Sequence, residues 1–380
     1  MKRILQTILL TGFMLVTLHQ AFAQSAKAEA AIQSIMQSSP VVGLSVAVVK
    51  NNKVIYNHSF GFKDVEKQLP LTNESIFRIA SISKSFTTTA IMQLVAEKKI
   101  RLDQDISELV GFKVRNPAYP NTVITLKMAL SHRSSINDSE GYFSLDAIDP
   151  ATNPNFAKCY NAYEPDKGYM YCNLNYNLAG SILEKITGIR FDKYIQQQIL
   201  DPLGLYGGYN VNVLDTQLIA KIYEFKRDST KFTYSPSAYA PRTEEINNYT
   251  MGRSTPIFSP TGGMKISAHD LAEYMIMHSQ LGKHKGKRII PKKLSKQMQA
   301  IISEEENYGM ALETSTQLIP GKTMIGHTGV AYGLYSIMFF EPKEKIGFVV
   351  ISNGCDPKTI NGINGVLHKT VNILFDNLIQ

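Results

Sequence analysis

Serine and lysine stand three residues apart in Ser81-Ile82-Ser83-Lys84, and no other Ser-x-x-Lys occurs in the chain. On a helix this spacing puts the hydroxyl and the amine on one face. A serine hydroxyl is a poor nucleophile until a base takes its proton, and a lysine stripped of water can have its pKa lowered enough to be that base. Free N–H groups and the dipole at the helix start also favour the oxyanion formed when the hydroxyl attacks a carbonyl. The chemistry on offer is acyl transfer to serine.

Two further elements supply what such a reaction needs. Tyr171-Cys172-Asn173 follows Pro165-Asp166-Lys167-Gly168 and leads into a helix start at Asn175-Tyr176-Asn177. A tyrosine beside a lysine ammonium is drawn toward phenolate and can shuttle a proton, and an asparagine amide can hold a substrate amide or carbonyl. Tyr119-Pro120-Asn121 has the same spacing but lacks the lead-in and the helix, so it is set aside. Gly326-His327-Thr328-Gly329 precedes a strand at Tyr335. Its glycines admit close backbone approach, and an edge strand beginning at His327 could pair with an extended substrate. Val330 N–H and Ser81 N–H could then form an oxyanion hole. Each element alone is commonplace; their order along one chain carries the weight.

These residues need elements to hold them. Val41 to Lys50 and Lys53 to Phe62 read as two strands turned at Asn51-Asn52. Both alternate sets of the first run are apolar or small, so that strand is expected to be buried on both faces. From Ser81 to about Lys98, Ile82, Phe86, Ala90, Ile91, Leu94 and Val95 recur at helical spacing. Thr87-Thr88-Thr89 is poor helix material, so burial must hold this helix. Between about Leu102 and Thr250 the chain turns Pro-, Asn- and Tyr-rich, with short helices at Asn177 to Thr187 and Phe191 to Leu200. Ser267 and Asp270 then make a capping box for a helix through Met277. Strands follow at Tyr335 to Glu341 and Ile346 to Ser352, and a terminal helix at about Val366 to Leu378. This order predicts one sheet made from the two chain ends, with an α/β lobe over about 26–100 and 255–380 and a helical lobe over about 101–254.

Composition excludes several classes. A 380-residue chain that is 44% hydrophobic and 19% charged can build a real core and is not disordered. The formal charge of +8 is scattered, which argues against a nucleic-acid partner. Lys2, Arg3, the apolar stretch Ile4 to Leu18 and Ala21-Phe22-Ala23 read as a secretory leader over 1–23, cleaved after Ala23. The apolar stretch is shorter than the roughly 20 residues of a spanning helix. The expectation is an exported protein, periplasmic or secreted, with no stable membrane anchor after cleavage. Cys159, Cys172 and Cys355 fit neither a disulfide framework nor a zinc set, and the eight histidines lack ligand spacing. Cys172 reads as a small buried residue, with a bridge to Cys159 as the alternative. His132 reads as structural rather than catalytic.

Taken in order, the three elements resemble the active-site serine β-lactamase and penicillin-binding-protein-like superfamily, closest to its class C, esterase and D-stereospecific peptidase branch. Phe77-Arg78-Ile79-Ala80-Ser81, Ile124-Thr125 through Ser131-His132-Arg133-Ser134-Ser135, Pro202-Leu203-Gly204 and Pro260-Thr261-Gly262-Gly263-Met264 look like blocks of the same family. The resemblance implies an α+β fold in which an antiparallel sheet flanked by helices carries an inserted all-helical region, over a single catalytic domain 24–380. It implies Ser81 as the acylated nucleophile, Lys84 as its proton partner and Tyr171 as general base. Asn173 matches the substrate-amide contact, and His327, Thr328 and Gly329 line the strand side. It implies neither metal nor organic cofactor.

Two positions depart from the family pattern. Arg133-Ser134-Ser135 replaces the usual Thr-Ser-Gly, and His327 stands where β-lactamases of this branch carry lysine. A histidine with an ordinary pKa of about 6.5 is mostly neutral at pH 7. The substitution therefore leans away from β-lactams and toward small esters or D-amino-acid-terminated peptides. It also predicts that turnover of carboxylate-bearing substrates falls between about pH 6 and 8 as the imidazole loses its charge. The expected function is an exported serine hydrolase forming an acyl-enzyme on Ser81. A class C-like β-lactamase and a catalytically silent peptidoglycan-like ligand-binding protein are the alternatives.

Overall fold

The computed structural model describes residues 23–380, so the expected leader falls, save for Ala23, outside the described residues. A helix over 23–38 (α1) precedes the hairpin β1 (Val41–Lys50) and β2 (Lys53–Asp64). Asn51 and Asn52 both adopt left-handed backbone, φ 55° and 57°, which is the turn that matches strand twist. A short β3 (Leu69–Pro70) pairs antiparallel with β2, and β4 (Ile76–Arg78) leads through a 3₁₀ turn at Ala80–Ile82 into α2 (Ser83–Ala96). The expected helix thus begins two residues later than Ser81, which lies in the tighter turn.

Thr87, Thr88 and Thr89 cost α2 roughly 0.5 kcal/mol each relative to alanine. Burial of Phe86, Ile91, Met92 and Leu94, at about 1.5–3 kcal/mol apiece, outweighs that cost. α2 is buried nearly all round, and its threonines are used as polar contacts: Thr87 donates to Pro260 O at 2.7 Å, and Thr89 pairs with the Tyr274 hydroxyl at 3.0 Å.

The region after α2 is mostly short helices and loops, with α3 (Leu174–Thr187) as its spine. Gly188, φ 67°, ends α3 where the sequence placed its stop. The region departs from all-helix in two places. Gly207–Gly208 (β5) pairs with the following β6 (Lys265–Ser267), and Tyr223–Lys226 pairs with Lys231–Tyr234 as a hairpin. Both lie against the sheet lobe, because β6 lies between β4 and β5 in a small three-stranded sheet.

α4 (Ala268–Ser279) starts where Ser267 accepts from Asp270 N–H at 3.0 Å. β7 (Glu313–Ser315), β8 (Met324–Ala331), β9 (Leu334–Glu341) and β10 (Ile346–Cys355) follow, then α5 (Gly365–Leu378). The main sheet runs β7-β8-β9-β10-β1-β2-β3, antiparallel throughout, and β10 joins β1 in the register Val46↔Val350. One face carries Leu44, Val48, Phe348 and Val350 against Ile32 of α1 and Leu367, Val371 and Leu374 of α5. The other carries Ala47, Val49, Val349 and Ile351 into the core shared with α2, α3 and α4. β1 is therefore buried on both faces, as its composition requires. Among the described residues no helix is long and apolar enough to cross a membrane.

Two sites of close packing bring the lobes together. A Cβ on Gly180 of α3 would meet the Pro260 ring at 2.4 Å, so only glycine lets the Pro260-Thr261 loop lie on the helix. A Cβ on Gly329 of β8 would meet Ile79 O and Ser336 Oγ, each at 2.3 Å. Ser336 donates to that same Ile79 carbonyl at 2.9 Å, fixing β8 and β9 against the turn that carries Ser81.

Candidate active site

Ser81 is presented by a strained turn. Ile79 N–H donates to Met264 O at 3.0 Å, and the next residue, Ala80, adopts φ 46°, a conformation that costs an L-residue roughly 1–2 kcal/mol. Ala80 is buried, and its kink turns the chain from β4 into α2 with Ser81 lining the cleft.

Lys84 is fully buried and spends its three N–H donors on three acceptors: Ser81 Oγ at 3.0 Å, Asn173 Oδ1 at 2.9 Å and Thr261 O at 3.0 Å. Burial pulls its ammonium down to about 7, against the opposing pull of the Asp138 carboxylate. A lysine near half-ionisation at neutral pH, one hydrogen bond from a serine hydroxyl, can take that hydroxyl's proton.

Asp138 was not among the residues singled out by sequence. Its carboxylate accepts from Asn173 N–H at 2.9 Å, Asn173 Nδ2 at 2.9 Å, Leu174 N–H at 3.0 Å and Cys172 Sγ at 3.2 Å. It caps α3 and orients Asn173, whose Oδ1 also accepts from Thr261 Oγ1 at 2.7 Å. Asn173 thus positions Lys84 in this structure, beyond the substrate contact expected of it. The sequence signal for Asp138 was faint: one aspartate in Ser-Ile-Asn-Asp-Ser, far from the helix it caps.

Tyr171 lines the cleft with Ser81, whose hydroxyl works against burial to lower the tyrosine's pKa. The expectation that it is drawn toward phenolate is not met. Burial drives its hydroxyl well above the ordinary value, and Lys84 meets the face of its ring, 4.7 Å from the centroid. With all three ammonium donors spent elsewhere, no cation stands at the phenol oxygen to hold a phenolate. His132 is structural: Nδ1 accepts from Cys172 N–H at 3.1 Å and the ring lies against Tyr171 at 4.4 Å. Burial holds it well below its ordinary pKa.

β8 begins at Met324, and β7 covers only its first residues, pairing Glu313 with Gly326 and Ser315 with Met324. The edge is open from His327 onward. Tyr332 and Gly333, φ 59° and 97°, form the turn into β9, with Ala331 and Leu334 as its closing pair. That register points the amides of Ala331, Gly329 and His327 toward β9 and those of Val330 and Thr328 toward the open edge. Val330 N–H therefore faces the open edge, and Val330 and Ser81 both line the cleft.

His327 differs from its sequence reading. Its Nδ1–H donates to Thr328 O, so Nε2 accepts from the Tyr308 hydroxyl at 3.1 Å. Burial lowers its pKa to about 3. The imidazole is neutral across the whole physiological range, and the expected loss of charge between about pH 6 and 8 does not occur on this residue. A different group titrates there. Burial and the neighbouring Glu306 push the Glu313 carboxyl up to about 7, while a bond from Thr328 N–H pulls it back. Neither Glu306, Glu313 nor Tyr308 was singled out by sequence. They sit in a stretch with no motif and reach the cleft only through the β7 to β8 pairing.

The cleft holds about 770 Å³ and runs from Glu306 and Glu313, past Ser81, to Arg78 and Tyr332. All three cysteines are free and buried. Cys159 donates to Ala147 O at 3.2 Å and Cys172 to Asp138, so no bridge joins them. Among the described residues no group of His, Cys, Asp and Glu converges as a metal site.

Known proteins resemble this chain in sequence and fold. Protein flp of Staphylococcus aureus (strain MRSA252) is 26% identical over 335 residues, 85% of this chain and 61% of that protein. The chain thus spans about three fifths of the length of that relative. The octameric penicillin-binding protein homologue from Pyrococcus abyssi superposes with TM-score 0.70 at 28% identity, covering 87% of this chain and 73% of that one. EstCE1, a hydrolase with promiscuous acyltransferase activity, gives TM-score 0.74 at 18% identity over 95% and 99% of the two chains. D-amino acid amidase from Ochrobactrum anthropi SV3 gives 0.70 at 22% over 92% and 98%. The last two likenesses are of fold. The Beta-lactamase family model matches residues 28–365, from α1 to the start of α5 and across every residue of the cleft, and the chain belongs to that family.

Proposed function

We propose that this protein is an exported serine hydrolase that works through an acyl-enzyme on Ser81. The observation that carries the reading is Lys84, buried, lowered to about 7 and 3.0 Å from Ser81 Oγ. Neutral Lys84 takes the Ser81 proton as Oγ bonds to the carbonyl carbon of an ester or amide. The carbonyl oxygen, now negative, is held by Ser81 and Val330 N–H. Collapse of this intermediate breaks the bond to the leaving group, which receives the proton held by Lys84. Water then attacks the acyl carbon and gives its proton to Lys84, which returns it to Ser81 Oγ as the acid is freed. Tyr171 stays neutral and orients the Ser81 hydroxyl, and Lys84 is the base. The leader features at the N-terminus support export.

The substrates best suited are esters, or amides of D-amino acids, whose leaving group has no carboxylate. Glu313 and Glu306 lie beside the strand edge where a leaving group would rest, and neutral His327 offers no compensating cation. An anionic leaving group meets repulsion there, which weakens both β-lactams and D-alanyl carboxypeptide substrates. The D-amino acid amidase and esterase names among the fold neighbours support the same class.

The test is intact-mass spectrometry after exposure to a fluorophosphonate, a penicillin and a short-chain aryl ester, with Ser81→Ala alongside. One adduct on Ser81, absent in the variant, is expected from the fluorophosphonate, with turnover of the ester. A protein that no reagent labels would be the silent binder.

A further inference from the structure

At the Arg78 end, the cleft adjoins a second, much smaller cavity of about 40 Å³. Arg78, Ser259, Tyr332 and Phe143 line both spaces. Three basic side chains, Arg78, Arg242 and Lys265, border the small cavity and no carboxylate does. Lys265 is buried, and its ammonium has one acceptor, Tyr209 O at 2.6 Å. Arg78 donates to Ala238 O at 3.3 Å and Ser259 Oγ at 3.4 Å, both long, and its Nε is buried without a partner. Arg242 pairs with Glu245 at 2.9 Å.

Buried charges in proteins are paired or hydrogen-bonded, because an isolated one costs several kcal/mol. Lysine can escape by losing its proton, and burial with Arg78 and Arg242 nearby drives Lys265 well below its ordinary value. Arginine has no such escape. The half-buried guanidinium of Arg78, 5.3 Å from the centroid of the Tyr332 ring, therefore lacks an anion, and a small space lies beside it. A planar carboxylate matches such a guanidinium by bidentate hydrogen bonding.

We propose that the cavity between Arg78, Arg242 and Lys265 is a carboxylate subsite that receives the far end of the substrate's acyl chain from the cleft. The proposal rests on the hydrolase reading above. It gives the cleft opposite polarity at its two ends: acidic where the leaving group departs, basic where the acyl group lodges.

Aryl monoesters of the dicarboxylic acids from succinic to adipic, each against the aryl ester of the equally long fatty acid, test it on the intact enzyme. At least one anionic ester is expected to exceed its neutral counterpart by about tenfold in kcat/KM, the effect of roughly 1.4 kcal/mol. That ratio is expected to fall to near one in Lys265→Met and in Arg242→Gln, the latter an exposed residue whose loss keeps the fold testable. In parallel, sodium formate at fixed ionic strength is expected to raise the melting temperature saturably, and less so in both variants. No preference at any chain length overturns the proposal. Formate stabilisation without ester preference also overturns it, by leaving the cavity to a free anion. Failure of the fluorophosphonate to label Ser81 would instead remove the hydrolase reading, with the formate arm still reporting on the cavity.

Discussion

Lys84 lies over the ring of Tyr171, 4.7 Å from its centroid, while its three N–H groups point elsewhere. The cation thus stabilises the aromatic face and leaves the phenol oxygen to Ser81, which divides the proton chemistry unequally between the two residues.

The division predicts distinct pH profiles. The kcat/KM of the native enzyme on a neutral ester should rise through a pKa of about 7 and then level, as Lys84 loses its proton. Tyr171→Phe should lower the plateau while leaving that limb in place. Lys84→Met should lose about 10²–10⁴-fold across the range. A limb that moves or vanishes in Tyr171→Phe would make tyrosine the base.

The same lysine should be visible in stability. Its folded pKa of about 7 lies below the ordinary 10.5, so between those values the unfolded chain binds more protons. Its contribution to stability is therefore full above the unfolded value and lost as pH falls toward 7. Melting temperatures of native protein and Lys84→Met, compared from pH 6 to 10, should show the native protein gaining on the variant only above about 7. A constant difference would mean that Lys84 is not depressed.

Gly329→Ala should leave a folded but crippled enzyme. The new methyl would press on Ile79 O and Ser336 Oγ and lift β8 from the Ser81 turn, spreading the Val330 and Ser81 amides. Misplacing an oxyanion donor costs about 10²–10³-fold in kcat. Near-native KM with kcat reduced on this scale is the expected signature, and unchanged kcat would exclude Val330 from the oxyanion site.

Asp138→Asn keeps the shape but removes the charge that caps α3. An amide cannot accept from all four donors that now converge on the carboxylate, so a loss of about 1–3 kcal/mol in stability is expected. Asp138 also holds the Lys84 pKa up, so the acid limb should shift to lower pH in the variant. Denaturant melts and a pH profile read the two effects separately.

Glu313→Gln should change selectivity. Removing one charge beside the strand edge is expected to raise the ratio of kcat/KM for carboxylate-bearing over neutral leaving groups by roughly tenfold, most strongly above pH 7 where Glu313 is ionised. An unchanged ratio would separate Glu313 from leaving-group recognition.

Local chemistry made much of this readable in sequence. Ser81 and Lys84 lie one helical turn apart, Gly188 ends a helix by its own backbone freedom, and Asn51-Asn52 makes its turn unaided. The sheet from both chain ends could be inferred because strands stand at both ends of the chain with helices between them. What escaped was long-range. Asp138 reaches α3 through a loop, Glu313 reaches Thr328 through a strand pairing, and the neutrality of His327 depends on Tyr308. The phenolate expectation for Tyr171 failed for the same reason: proximity to lysine was legible, but not the side of the ring from which lysine approaches.

The union of β1 with β10 also sets a schedule. Val46 meets Val350, so β1, a strand buried along nearly its whole length, waits for a partner made near the end of synthesis. Until then β1 has only β2 beside it, and its apolar faces have no cover from α5. Closure of so distant a pair is entropically slow. A chain that cannot seal its core until its last strands emerge stays threadable for as long as it is being made, which is compatible with the export proposed above.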